Sequence, residues 1–398
     1  MKKLLSAYGT TLLLGLAALP VGVAAGAADA LFGHGVLFVT KLRLAHPYWF
    51  IPFLGLAGLA LTWCLRTFGG KSTKGMTLIF EAGHGVADEI PLRLIPLAIG
   101  GTWLSHLFGG STGREGVAVQ IGGTIGHAVG RMLPVRDAGR LMLIAGMAAG
   151  FAGLFRTPVA ATFFAIEVLT AGTLEYRAIF PAMVAAFVAS RASGTLGLGK
   201  FTFDLASTLS PTFATGGRLI ALGLVFGVAG GLFAWTMHHV KDGLAKLIPN
   251  PLWRALLVGT ALSVLSLLCW EGRYSGVSTQ LIGEAFAGKA FPWDFALKAL
   301  FTIFTLSAGF LGGEVVPLFV TGATLGALAG PLIGLPVQAS AALGCVAVFG
   351  GATNTLLGPI IIGGEIFGFT HLPFIFVVCT VAYVCNGNSS IYRLQKGR

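Results

Sequence analysis

Hydrophobic segments that are repeatedly interrupted run through almost the whole chain, and they constrain its fold more than any motif does. Apolar runs occupy about residues 4–26, 48–66, 91–108, 116–131, 141–170, 178–192, 218–240, 255–270, 296–311, 316–334, 340–351 and 355–385. Several are shorter than the roughly 20 residues that cross a hydrocarbon core, and many are broken by Gly or Pro. Backbone that leaves the helix at membrane depth is tolerated only where protein buries it or where it lines a cavity. Short, broken helices therefore predict a site built near the membrane midplane. Composition agrees: of 398 residues, 55% are hydrophobic and only 10% charged, with mean hydropathy +0.84. That balance excludes a soluble fold. The predicted class is an all-α polytopic membrane protein.

Charge adds orientation. Lys and Arg number 26 against 15 Asp and Glu, a net +11, but they scatter through loops rather than forming a stripe. The excess therefore predicts no nucleic-acid partner and reflects the positive-inside rule, with attraction of anions toward a pore mouth as a secondary effect. Lys2 and Lys3, with Arg393, Lys396 and Arg398, place both termini in the cytoplasm. The first segment, "MKKLLSAYGTTLLLGLAALPVGVAAGAADA", resembles a secretory signal. Its apolar part is longer than an ordinary signal core and more spans follow, so a retained first helix is expected. Cys64, Cys269, Cys345, Cys379 and Cys385 form no CxxC pair and read as small hydrophobes, so neither a disulfide nor a metal framework is predicted. His238 and His239, beside Lys241 and Asp242, read as interfacial, and His84 as a loop residue. No GxxxxGK[ST] loop occurs, so ATP driving is not expected, nor is any cofactor.

An internal repeat organises the chain. Gly113, Glu115 and Val117 of "GREGVAVQIGGTIGHAVG" recur 199 residues later as Gly312, Glu314 and Val316. With one residue of slippage, Gly122, Thr124, Gly126 and Gly130 recur as Gly322, Thr324, Gly326 and Gly330. "RTPVAATFFAIE" (156–167) matches "NTLLGPIIIGGE" (354–365), with Thr157 on Thr355 and Glu167 on Glu365, at an offset of 198. Two ordered matches at nearly one spacing divide the chain into homologous halves, 1–205 and 206–398, forming one membrane domain. An odd number of crossings in each half inverts one against the other, so the two Gly-x-Glu segments approach the midplane from opposite sides. Free amides and the dipole at each helix start favour an anion between them. A carboxylate there feels both desolvation and those dipoles, which act on its proton affinity in opposite senses. The alternative is that Glu115 only caps a helix or pairs with Arg114; within a helix, adjacent side chains point apart.

"GREGVAVQIGG" is similar to the glutamate motif of the CLC chloride channels and transporters. "GGEVVP" stands where that family has a Gly-x-Phe-x-Pro motif, and "AAGFAGLFRTPVAATFFAIE" and "NTLLGPIIIGGE" match its later helix pairs, so the resemblance covers the chain from about residue 70. Val117 in place of a proline, Glu314 inside the second motif and the absence of "GSGIP" make the chain resemble the fluoride-specific CLC-F branch, bacterial fluoride/proton antiporters. The resemblance implies the CLC fold of two inverted-topology repeats with many tilted and broken helices. It implies that Glu115 is the gating glutamate, a tethered anion when ionised and displaced when protonated, and that Glu314 is a proton relay or tunes the vestibule. Gly113, Arg114, Gly116, Val315 and Val316 would line the anion site. Met76, in "STKGMTLIFEAG", and Tyr392, at the start of a short C-terminal helix in "NSSIYRLQ", would face it. Val316 carries no hydroxyl where many members of the branch have threonine. Val168 stands where coupled chloride antiporters keep a second, internal glutamate, which argues against their proton route.

The activity so implied is fluoride export in exchange for protons, by a homodimer with one pathway per subunit in the bacterial inner membrane. Fluoride enters cells as its neutral acid and, once ionised, cannot leave through lipid, so expulsion needs a coupled proton. Two other readings stay open. One keeps the fold but exchanges chloride or another anion, or conducts passively. The other is an intramembrane enzyme using Ser111 in "GSTG".

Overall fold

The computed structural model describes residues 2–203, 205 and 209–397, with side chains from residue 8 onward. The expected boundary at 205/206 abuts Ala206, which lies outside the described residues, as do Arg398 and the side chains of Lys2 and Lys3. The helices in order are α1 (Lys2–Ala45), α2 (Pro47–Phe50), α3 (Leu54–Cys64), α4 (Met76–Gly83), α5 (Leu94–Leu107), α6 (Glu115–Arg131), α7 (Ala138–Phe155), α8 (Pro158–Glu167), α9 (Ile179–Thr195), α10 (Phe213–Leu247), α11 (Pro251–Leu268), α12 (Gln280–Phe286), α13 (Asp294–Ala308), α14 (Val315–Leu332), α15 (Val337–Thr353), α16 (Leu357–Phe367) and α17 (Leu372–Val384). Among the described residues, seven helical stretches are long and apolar enough to cross a membrane, and α5, α8, α15, α16 and α17 are shorter apolar helices. The chain is a multi-pass membrane protein of inverted repeats.

Local chemistry explains where the apolar runs break. The run at 141–170 divides at Arg156, which sits in the left-handed region at φ 59°, and Pro158 then starts α8 at a position where its missing amide hydrogen costs nothing. The run at 355–385 divides at Gly368, φ 100°, a conformation that a side chain would oppose. The opposite occurs at the start of the chain, where the expected 4–26 helix runs on through Pro20, Gly33 and Gly35 to Ala45, with no proline between Pro20 and Pro47 to end it sooner. This helix packs on α7 and α9.

The packing repeats along with the sequence. α6 lies on α7 as α14 lies on α15, and α1 lies on α9 as α10 lies on α17. A methyl on Gly122 would fall 2.1 Å from the Gly146 carbonyl oxygen, and one on Gly322 would fall 2.0 Å from the Gly344 oxygen. The recurring glycines thus let backbones meet, a common way to join helices where lipid offers no hydrophobic drive. α7 and α15 are buried along most of their length, whereas α1, α3, α10 and α11 turn Leu, Val, Phe and Trp side chains outward. Outward apolar side chains meet lipid at no cost.

Candidate functional site

The lead-ins to α6 and α14 meet head to head. Gly113 N–H donates to the Gly313 carbonyl at 2.6 Å, and Gly313 N–H donates to the Gly113 carbonyl at 2.8 Å, an antiparallel pair. This pair turns the two helix starts toward each other. A methyl on Gly113 would lie 2.8 Å from both Glu115 Oε2 and Pro317 Cδ, and one on Gly313 would lie 2.7 Å from Gly116 N. Only glycine permits so close an approach.

Glu115 is the first residue of α6 and is fully buried. Its Oε2 accepts from the Arg114 N–H at 3.0 Å, Oε1 is buried with no hydrogen-bond partner, and the amides of Glu115 itself and of Val316, in the first turn of α14, lie near enough to act on the carboxyl group electrostatically. The carboxyl group of one half therefore lies beside the helix start of the other. Arg114 Nε stands 3.4 Å from Oε1. The expectation that neighbouring side chains would point apart fails here because Arg114 precedes the helix, with φ −126° and ψ −17°, so helical spacing does not apply. The pair with Arg114 coexists with the contact to α14.

Glu314 stands just before α14, the place that Arg114 holds before α6, so the expected match of Glu115 with Glu314 is off by one residue: Gly113 pairs with Gly313, not with Gly312. A methyl on Gly116 would lie 3.4 Å from Glu314 Oε2 and 3.3 Å from Gly313 Cα, and the Glu314 and Glu115 carboxylates lie close enough to interact electrostatically. The first turn of α14 follows with Val315 and Val316, both buried. Gly113, Arg114, Glu115, Gly116, Glu314, Val315 and Val316 thus form one cluster.

Met76 and Tyr392 share a cavity of about 340 Å³ with Glu314. Lys74, Lys241, Arg254 and Arg393 line the same space, which opens at the molecular face carrying residues 391–394. Met76 starts α4 after Gly75, φ 54°, and is half-buried. Tyr392 is buried and stacked on Phe80, with ring centroids 5.0 Å apart. The short helix expected at Tyr392 is absent. Residues 386–397 instead spend their backbone groups on neighbours: Ile391 N–H on the Ala352 carbonyl at 2.8 Å, the Ser390 carbonyl on His238 Nε2 at 2.7 Å, and Lys396 N–H on the Leu169 carbonyl at 3.3 Å. Asn388, φ 52°, turns the chain where a helix would have begun. His238 therefore braces the Tyr392 segment, a role beyond an interfacial one.

Sequence reasoning missed two groups. Glu167, ending α8, accepts from the amides of Leu356 (2.6 Å), Leu357 (3.2 Å) and Gly358 (3.0 Å), while Glu365, ending α16, accepts from Ala160 (2.7 Å) and Val159 (3.4 Å). Each half caps the other's helix. The recurrence of both acids at one offset was the available signal. The second group is basic: Arg43, His106 and Lys298 are buried behind the α6 lead-in. Lys298, alone in the apolar run "ALKALFTIF", was visible in the sequence. Its partner Ser111, 1% exposed, accepts from Lys298 Nζ at 2.9 Å and bonds Thr302 Oγ1 at 3.0 Å, so it is committed to packing.

Comparison with known proteins fits this geometry. Residues 57–387 match the family model described as voltage gated chloride channel. A protein of Pseudomonas syringae pv. tomato named "Chloride/fluoride channel protein" is 37% identical over 383 residues, 94% of this chain and 84% of its own. A crystal structure described as a CLC-type fluoride/proton antiporter is 47% identical, covers 97% of this chain and 98% of its own, and superimposes with a TM-score of 0.95. A slow cyanobacterial Cl⁻/H⁺ antiporter shares the fold at 22% identity and a TM-score of 0.80, over 95% and 96% of the two chains. With its paired helix starts and its family-model match over most of its length, the chain belongs to the voltage-gated chloride channel (CLC) family of anion channels and transporters.

Proposed function

We propose that this chain exports fluoride in exchange for protons, with Glu115 carrying the coupling. One observation supports this most: the Gly113–Gly313 pair brings the Glu115 carboxyl group beside the first turn of α14, within electrostatic reach of the Val316 amide, while it remains tethered to α6. A carboxylate and fluoride are alternative anions for the same amides. Ionised, Glu115 fills the place; protonated, it no longer needs those donors and can yield to fluoride. One proton is thereby exchanged against one anion position. Fluoride is small and strongly hydrated, so close N–H donors and a protonated carboxyl group suit it in place of its water. Glu314, at the head of the vestibule shared with Met76 and Tyr392, serves as the relay between Glu115 and that face. The relatives named for fluoride favour this ion over chloride.

The face with Lys74, Lys241, Arg254 and Arg393 is cytoplasmic on this reading, as the positive-inside rule requires, and both termini lie there. Its cations draw anions to the inner mouth. The protein acts in the bacterial inner membrane as a homodimer, one pathway per subunit, and it transports without chemical turnover. The test is efflux from liposomes reconstituted with purified protein, followed with fluoride and chloride electrodes and a pH dye. Fluoride efflux with proton uptake and little chloride flux is expected. Equal chloride flux would overturn the selectivity for fluoride, and fluoride flux without protons would make the protein a channel.

A further inference from the structure

Lys298 lies in the middle of α13 and is fully buried. Its Nζ donates to the Gly276 carbonyl at 2.7 Å, Ser111 Oγ at 2.9 Å, the Tyr274 carbonyl at 3.1 Å and Ser278 Oγ at 3.1 Å. The two hydroxyl protons have other acceptors in reach. Ser111 Oγ is 3.0 Å from Thr302 Oγ1, and Ser278 Oγ donates to the Ser275 carbonyl at 3.2 Å. Both serines are thereby free to present lone pairs to Lys298. Two carbonyls and two hydroxyls outnumber the N–H hydrogens that Lys298 can offer, so the contacts are shared among them, and none of its bonding partners is a carboxylate.

These partners come from two places that the sequence separates widely: the lead-in to α6 and the loop 274–278. The loop lies across the lead-in, with Gly276 N–H on the Gly110 carbonyl at 3.0 Å. Arg43 fastens the same junction by donating to the carbonyls of His106 and, at 3.2 Å, Ser275. His106 Nε2 stands 3.3 Å from the Gly113 carbonyl, the oxygen that also accepts from Gly313. The other half lacks this device. At the 200-residue offset that pairs Gly113 with Gly313, Lys298 corresponds to Ala98 of α5, a methyl.

We infer that Lys298 is a positioning residue for the Glu115 end of the anion site, clamping the 274–278 loop onto the Gly110–Gly113 lead-in and so fixing how Glu115 faces α14. Its functional consequence rests on the reading of Glu115 given above. With the clamp intact, the approach on the far side of Glu115 stays closed except when Glu115 moves. Without it, the lead-in gives way and anions slip past uncoupled from protons.

Two measurements on Lys298→Met test this. Backbone hydrogen exchange, read by mass spectrometry on the solubilised protein, should quicken at least about tenfold in residues 109–113 and 274–279 while α15 keeps its protection. In liposomes, the number of protons taken up per fluoride released should fall well below the wild-type value. Unchanged exchange at both segments, or acceleration throughout the molecule, would overturn the clamp. Local acceleration with an unchanged ratio would overturn the positioning role. Absence of proton uptake in the wild type would instead remove the Glu115 reading, and the functional half of this inference with it, leaving the exchange result to stand on its own. If Lys298→Met does not assemble, Ser278→Ala, which removes one acceptor, replaces it; about a threefold local acceleration is expected, and none would contradict the clamp.

Discussion

The two helix starts share a backbone design and differ in what surrounds them. Residues 109–113, leading into α6, are all buried; Lys298 and His106 hold them from two different helices, and Arg43, from a third, fastens His106 to Ser275 beside them. Residues 309–312, leading into α14, include exposed Gly309 and half-buried Leu311 and Gly312, and they face a cavity of about 340 Å³. Nearby, Ser307 Oγ is buried with no hydrogen-bond partner. A repeat thus supplies two equivalent anion-facing termini, and individual substitutions then make one a fixed wall and the other an open vestibule. Transport needs such asymmetry, because a site equally open at both ends would leak.

The comparison can be broken most severely at the Gly113–Gly313 pair. Gly113→Ala drives a methyl into Glu115 Oε2 and Pro317 on the walled side, and Gly313→Ala drives one into Gly116 N. Either should lower fluoride turnover on the order of 100-fold, Gly113→Ala by displacing Glu115 itself and Gly313→Ala because backbone cannot step aside; flux from liposomes at equal protein loading checks this. If Gly313→Ala is tolerated, the two starts are less tightly coupled than described. Glu314→Gln tests the vestibule alone. Fluoride flux should fall about tenfold while the protein still binds fluoride, read by isothermal titration, because Glu115 keeps its place. Loss of binding would assign Glu314 to the anion site itself.

Packing should be symmetrical where electrostatics is not. Gly122→Ala and Gly322→Ala place methyls 2.1 and 2.0 Å from facing carbonyl oxygens. Each should cost about 1–3 kcal/mol, seen as similar drops in thermal midpoint in detergent. Unequal drops would show that one half carries more of the fold. The smallest difference concerns the reciprocal caps. Glu167→Gln weakens three amide contacts and Glu365→Gln two, so the first should destabilise more, each by about 0.5–2 kcal/mol.

The features legible in the sequence are those that repeat or that stand out against apolar surroundings. The recurring glycines marked two equivalent helices, though the contacts they make with α7 and α15 were not read from them, and the Gly-x-Glu recurrence pointed to facing helix starts with a register one residue off the Gly113–Gly313 pair. Contacts of unrepeated residues stayed hidden. Lys298 reaches Ser111 across 187 residues, and Arg43 reaches Ser275 across 232, and neither pairing carries a local signature. The segment around Tyr392 was misjudged because its conformation comes from acceptors on other elements, among them Ala352 and Leu169. The Arg114–Glu115 pair was misjudged by one residue of helix boundary, which decides whether neighbours diverge.

The central claim is that the Glu115 carboxylate couples anion and proton movement. The most direct measurement is proton uptake during fluoride efflux from liposomes bearing Glu115→Gln, beside the wild type, with a pH dye and a fluoride electrode read together. The account predicts that the amide, which cannot carry the proton, abolishes coupled uptake, leaving fluoride flux either blocked or free of protons. Fluoride efflux that still draws protons inward at the wild-type ratio would contradict it.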